Sequence, residues 1–144
     1  MRTPFLCIAA ISLLLGACDT AVNDNDFYDY SIEQQMGCFC PQGGQWVRLL
    51  VRADTIANAI NISTGSNLTY EQWRPYRTIS GLFDEISLRD TSVYEVRVEI
   101  DSTYNYPSFV YFNPKPIVHG DTVLTVMDAQ LSYSTRNYVR FSRQ

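Results

Sequence analysis

Two stretches of this chain alternate apolar and polar residues with a period of two. Val47, Leu49, Val51 and Ala53 alternate with Arg48 and Arg52, and Tyr94, Val96, Val98 and Ile100 alternate with Glu95, Arg97 and Glu99. Successive side chains of a β-strand point to opposite faces, so each stretch offers one face to a core and one to water. Sheets that are wet on one face are characteristically antiparallel. A third alternation starts at Phe27, with Tyr28, Tyr30, Ile32 and Met36 on one parity and Asp29, Ser31, Glu33 and Gln35 on the other.

The remaining strands follow from turn chemistry. Asp54-Thr55 reads as a hairpin tip, with a return strand over residues 56–62. Residues 108–113, rich in Phe109, Val110, Tyr111 and Phe112, form another strand that Pro114 and Pro116 stop. His119-Gly120-Asp121 is a turn, residues 122–133 a last long strand, and Tyr138-Val139-Arg140-Phe141 a short edge. Between the two halves lies a polar connector, residues 63–77, and then the one helix. Thr78 suits an N-cap, and Ile79, Leu82, Phe83 and Ile86 fall at i, i+3, i+4 and i+7. Gly81 weakens that helix by about 1 kcal/mol relative to alanine. The expected fold is α+β: an antiparallel sheet of about five to six strands with one helix packed on one face, in the order βββ-α-βββ.

The first residues belong to no domain. Arg2 precedes an apolar run over residues 5–15, and Gly16 and Ala17 are small. The run is too short for a comfortable span and sits where a signal peptide sits. Leu15-Gly16-Ala17-Cys18 resembles a bacterial lipobox. That resemblance implies cleavage between Ala17 and Cys18, a diacylglyceryl group on the Cys18 sulfur and an acyl group on its new amino terminus. Two or three chains hold a protein firmly at a bilayer, whereas one holds it marginally. The expected organisation is a signal peptide (residues 1–17, removed), an acidic tether (18–26) and a single domain (27–144). The place implied is the bacterial cell envelope, with the inner or outer membrane left open. Removing the leader takes away one cation, Arg2, and leaves 10 cations against 15 anions, a poor match for nucleic acid. A hydrophobic fraction of 46% with 13% aromatics excludes a disordered chain.

Three local signatures resemble a bacterial family of exported domains, domain of unknown function 6174. They are Tyr28-Asp29-Tyr30-Ser31 leading into Cys38-Phe39-Cys40-Pro41, the helix from Thr78-Ile79 to Leu82-Phe83, and Val96-Arg97-Val98-Glu99-Ile100-Asp101 followed by Tyr104-Asn105-Tyr106-Pro107. The family has glycine where Asn105 stands, and asparagine also tolerates positive φ. The resemblance implies an exported or lipid-anchored protein and no particular activity.

Chemistry centres on Cys38 and Cys40, the only thiols left once Cys7 is removed and Cys18 acylated. Residues i and i+2 of a regular strand lie about 6.5–7 Å apart, at the limit of a disulfide, so a Cys38–Cys40 bond needs a bend. Four readings stay open: a static disulfide, two reduced thiols, a redox-active pair and a soft-metal site. His119, the one imidazole, reads as a solvent-exposed turn residue. Glu95, Glu99, Asp101, Asp121 and Asp128 read as a solvated face, and Gly43-Gly44 is no phosphate loop. Tyr104, Tyr106, Tyr111 and Tyr133 are either an exposed aromatic patch or core tyrosines with hydroxyls at the rim.

The expectation is a lipid-anchored, non-enzymatic binding or scaffold module with no catalytic residues, no metal and no cofactor beyond the lipid at Cys18. Its partners are the membrane, through the anchor, and an envelope protein, with Tyr104, Asn105, Tyr106 and Pro107 as candidate contacts. One alternative is a thiol redox or metal-handling lipoprotein using Cys38 and Cys40. Another is a small inhibitor that presents a strand edge or the 104–107 turn to an envelope enzyme.

Overall fold

The computed structural model describes residues 28–124 and 129–141. The leader, the cleavage site at Ala17 and Cys18, the tether and Asp128 lie outside the described residues. In chain order the elements are β1 (Tyr30–Gly37), β2 (Trp46–Arg52), β3 (Thr55–Asn61), α1 (Tyr70–Trp73), α2 (Ile79–Leu88), β4 (Tyr94–Ile100), β5 (Pro107–Pro114), β6 (Ile117–His119), β7 (Thr122–Leu124) and β8 (Leu131–Arg140). Six strands make one antiparallel sheet in the spatial order β3-β2-β1-β8-β5-β4, and β6 and β7 form a separate hairpin. The protein is mainly β, with a short helix packed on the sheet.

The core lies between one face of the sheet and the helical connector. Ile32, Val47, Leu49, Val51, Val110, Phe112 and Tyr133 of the sheet meet Tyr76 and Leu82 there. Thr78 caps α2 as expected, its Oγ1 accepting from the Gly81 N–H at 3.1 Å. The buried helix stripe is narrower than the spacing suggests. Leu82 is fully buried, Ile79 and Ile86 pack against the core, and Phe83 sits on the flank, 41% exposed.

Hydrogen bonds stitch the connector to the sheet. Gln34 on β1 has no exposed surface, and its side-chain amide meets the Arg77 backbone twice: Nε2 donates to Arg77 O at 3.2 Å, and Arg77 N–H donates to Oε1 at 2.9 Å. Tyr30 Oη accepts from the Ile79 N–H at 3.2 Å, and Tyr133 Oη donates to the Pro75 carbonyl at 3.1 Å. Glu85 on α2 takes Arg77 at 2.9 Å and Arg89 at 2.8 Å.

The structure corrects several sequence expectations. The β2–β3 tip is Ala53-Asp54, one residue earlier than expected. Both residues have positive φ (47° and 58°), as a two-residue hairpin turn matched to strand twist requires. The Asp29 carboxylate accepts from the Ala53 N–H at 2.6 Å and holds the tip. The connector contains α1, a single helical turn whose Thr69 N–H donates to Gln72 Oε1 at 2.9 Å. The long strand expected over residues 122–133 is divided. Thr122–Leu124 turns back on Ile117–His119 at Gly120, and the last strand starts at Leu131 and runs to Arg140. That strand lies between β1 and β5, not at an edge. Its polar composition hid this, because flanking strands rather than its own apolar residues supply much of its burial. Conversely, Val98 and Ile100 on edge strand β4 are exposed despite perfect alternation.

Candidate functional site

The segment linking β1 to β2 is held in one shape by several independent contacts. β1 ends at Gly37, which pairs with Ser132 so closely that a Cβ would collide with the Ser132 hydroxyl. The chain then bends away from the sheet. The bend brings the Cα atoms of Cys38 and Cys40 to 5.3 Å, and their sulfurs are placed as a disulfide. Gly43 approaches the Cys38 carbonyl at a distance that excludes any side chain, and its N–H donates to Cys40 O at 2.9 Å. Gly44, at φ 78°, donates to Met36 O at 2.8 Å, and Gln35 Nε2 donates to Gly44 O at 2.7 Å. Buried Tyr76 props the loop from the core side, its hydroxyl 3.4 Å from the carbonyls of Gln42 and Gln45. Burial pushes the Tyr76 phenol up to about 12.

Phe39 stands outside this frame. Both its neighbours are tied down, and its ring is 83% exposed. Beside it a cavity of about 260 Å³ is lined by Gly37, Cys38, Tyr111, Leu131 and Ser132. The β6–β7 hairpin emerges from the same end of the sheet, and its Ile117, Val118, Val123 and Leu124 are each more than half exposed. An exposed aromatic ring on a pinned backbone, a half-apolar cavity and an apolar hairpin therefore share one end of the domain. β1 starts at the other end, with Tyr30.

The 104–107 turn lies at the end of the sheet where β1 starts. Asp101 Oδ1 accepts from the N–H groups of Thr103 (2.9 Å) and Tyr104 (2.8 Å), and Asn105 takes φ 60°, a left-handed conformation that asparagine tolerates. Tyr104 and Asn105 are exposed. Tyr106 and Pro107 are buried, because the strand that follows carries them into the fold, so they offer no contact surface. The four tyrosines singled out by sequence do not form one patch. Tyr104 and Tyr106 stack around Tyr138 at 5.1 and 5.8 Å, Tyr111 lies across the sheet from the helix, and Tyr133 is buried beneath α2.

His119 is exposed at the end of β6, and among the described residues no three His, Cys, Asp or Glu side chains come together as a metal site. Glu95 is paired with Arg97 at 2.6 Å, Asp101 braces its turn, and Glu99 and Asp121 are exposed. One cluster escaped the sequence reading. Glu33, on the parity expected to face water, is only 5% exposed and is held by Arg48, Arg136 and Asn137. The pairing of Glu33 with Arg48 across β1 and β2 was its one sequence signal, and Arg136 and Asn137 arrive from a strand that the sequence placed elsewhere.

A family model described as a family of unknown function, DUF6174, matches residues 20–131. The chain belongs to the DUF6174 family. The match runs from residue 20 through the first residue of β8 and includes all three local signatures. No curated protein and no solved structure matches this DUF6174 chain. Among the described residues no helix is long and apolar enough to cross a membrane.

Proposed function

We propose that this DUF6174 protein is a lipid-anchored binding module of the bacterial cell envelope, without enzymatic activity, that grips a protein partner through the end of the sheet carrying Phe39. Acylation of Cys18 fixes the chain at a membrane, and residues 19–26 link that anchor to the end of the sheet where β1 starts. The Phe39 end then faces away from the lipid. The observation that carries the reading is the exposed Phe39 ring on a preorganised loop backbone. An aromatic anchor whose backbone is already immobilised loses little entropy on binding, and such anchors dominate interface energetics.

Leu88 provides the control, because it is equally exposed at 83% but ends a helix away from the loop. A photo-crosslinking residue placed at position 39 or at position 88 of the full chain, expressed in its native membrane, separates the two surfaces. Position 39 is expected to give one discrete crosslinked product, lost on Gly43→Val, with no such product from position 88. Equal, diffuse labelling from both positions contradicts the reading.

The placement of the Cys38 and Cys40 sulfurs favours a second reading, thiol–disulfide exchange. A thiolate of a partner dithiol attacks one sulfur, the intramolecular bond breaks, and a mixed disulfide forms. The partner's second thiol resolves it, leaving Cys38 and Cys40 as thiols and the partner oxidised. So small a ring adds little loop entropy, which makes it comparatively reducible. Thiol titration after incubation with a thioredoxin-like reductant tests this. Two new thiols per chain support exchange, and none excludes it.

A further inference from the structure

The face of the sheet opposite α2 carries a cavity of about 420 Å³ between β3, β2, β1 and β8. We infer that this cavity binds a small monoanionic organic acid, with the carboxylate held by Arg48 and Ser31 and an apolar ring or chain laid against Leu50, Ile60, Val139 and Phe141. The inference goes beyond the Phe39 reading and uses a different surface.

The charge at the site argues for an anion. Glu33 is the buried acid of the cavity, and both its oxygens are engaged. Arg48 Nη2 donates to Oε1 at 2.9 Å, and Arg136 Nε (3.1 Å) and Asn137 Nδ2 (2.7 Å) donate to Oε2. One carboxylate thus faces two guanidinium groups, which leaves one positive charge in surplus. A guanidinium has five N–H donors in a planar fork. Arg48 spends one on Glu33 and is half exposed, so several remain for a ligand oxygen. The other face of the Arg136 guanidinium is occupied, stacked 3.8 Å above the Trp46 ring, which makes Arg48 the donor with freedom to reach a ligand.

Ser31 supplies a second polar contact. It lines the cavity, the residue is 7% exposed, and its hydroxyl, unpaired among the described residues, is open to solvent at the cavity wall. That open hydroxyl can donate to a ligand oxygen beside Arg48. The backbone has also been shaped here. A bulge in the β1–β8 register opposes Asn137 and Tyr138 to Ile32, and Asn137 takes φ 54°, which aims its amide at Glu33. Bulges and non-glycine residues at positive φ concentrate where strands re-aim side chains at sites. Ligand pockets of this kind are lined mostly by apolar groups, with a few convergent polar ones.

The probe is 2-naphthoate, with 2-naphthamide and 2-naphthylmethylammonium as its neutral and cationic counterparts. Binding is read by ligand-observed NMR on the full chain in zwitterionic nanodiscs, with empty discs as the blank. Naphthoate is expected to bind saturably at one site, about ten-fold or more tighter than the amide, because a charge-assisted hydrogen bond is lost in the latter. The ammonium compound is expected not to bind. Arg48→Met and Ser31→Ala should each weaken naphthoate, and Ser31→Ala should leave the charge cluster intact. Arg48 also holds Glu33, so Val139→Trp is the decisive variant. It fills the cavity from a half-exposed position, keeps every charged group, and should abolish binding while the circular dichroism spectrum stays unchanged. Equal affinity for acid and amide, or unimpaired binding by a folded Val139→Trp protein, overturns the inference.

Discussion

Replacing Gln34 with leucine removes the clamp that holds the start of α2 over the sheet. Gln34 is fully enclosed, and its amide is the partner of both the N–H and the C=O of Arg77. Leucine has similar volume and fits a neighbourhood of Ile32 and Met36, but it offers neither donor nor acceptor. Each backbone group left buried and unpaired costs about 1–3 kcal/mol, so the two together cost about 2–6 kcal/mol. Burying the leucine side chain offsets about 1.5–3 kcal/mol of this. The expected net loss is about 2 kcal/mol. In urea unfolding followed by circular dichroism, with a slope of about 1–3 kcal/mol/M, the midpoint should fall by about 1 M at unchanged slope. A midpoint that is unchanged or raised would refute the reasoning, since Gln34 would then be a polar residue tolerated in the core and not the tie between sheet and helix.

Other outcomes follow from the same contacts. Leu82→Ala, at the one fully buried position of α2, should cost about 2–5 kcal/mol in the same assay, and Phe83→Ala, on the exposed flank, markedly less. Burial alone raises the Glu33 carboxyl, but hydrogen bonds from Arg48, Asn137 and Arg136 outweigh it and hold the group below its usual value of 4.5. The unfolded chain therefore takes up the proton first as pH falls below 4.5. Stability contributed by Glu33 is present above that pH and is lost as pH descends through the lower folded value, a loss that Glu33→Gln should flatten. At the alkaline end the sign comes from Tyr76, raised by burial from 10.0 to about 12. Unfolded chains ionise first, so stability should drop between pH 10 and 12, and less steeply in Tyr76→Phe, measured by thermal midpoint against pH.

The sheet was legible where alternation and apolar residues coincide. β2 and β4 read directly, because Val47, Leu49 and Val51, and then Tyr94 and Val96, mark one face without ambiguity. β8 was legible only at its ends, residues 131–133 and 138–140, because Ser134, Thr135, Arg136 and Asn137 between them carry no apolar signal. Their strand is specified by partners far away in sequence, such as Gln34 and Glu33, which reach Thr135 and Arg136 across roughly a hundred residues. The same non-locality hid the Glu33 cluster. The Cys38–Cys40 loop was visible as a motif, since a bend between Gly37 and Pro41 was the one way to bring the sulfurs together. Its rigidity was not visible, because Tyr76 and Gly43 act on it through space. The 104–107 turn was read correctly at Asn105, but two of its four residues were assigned to the surface when strand direction carries Tyr106 and Pro107 inward.

The proposed placement at a cell envelope underlies both the proposed partner-binding role of the loop and a lasting Cys38–Cys40 disulfide, since disulfides persist outside the reducing cytosol. Mass spectrometry of the amino-terminal peptide, from protein made in its native host, tests that placement directly. The account predicts a chain that begins at Cys18 and carries a diacylglyceryl group on sulfur and an acyl group on nitrogen. A chain that retains residues 1–17, or that holds an unmodified thiol at position 18, would contradict it.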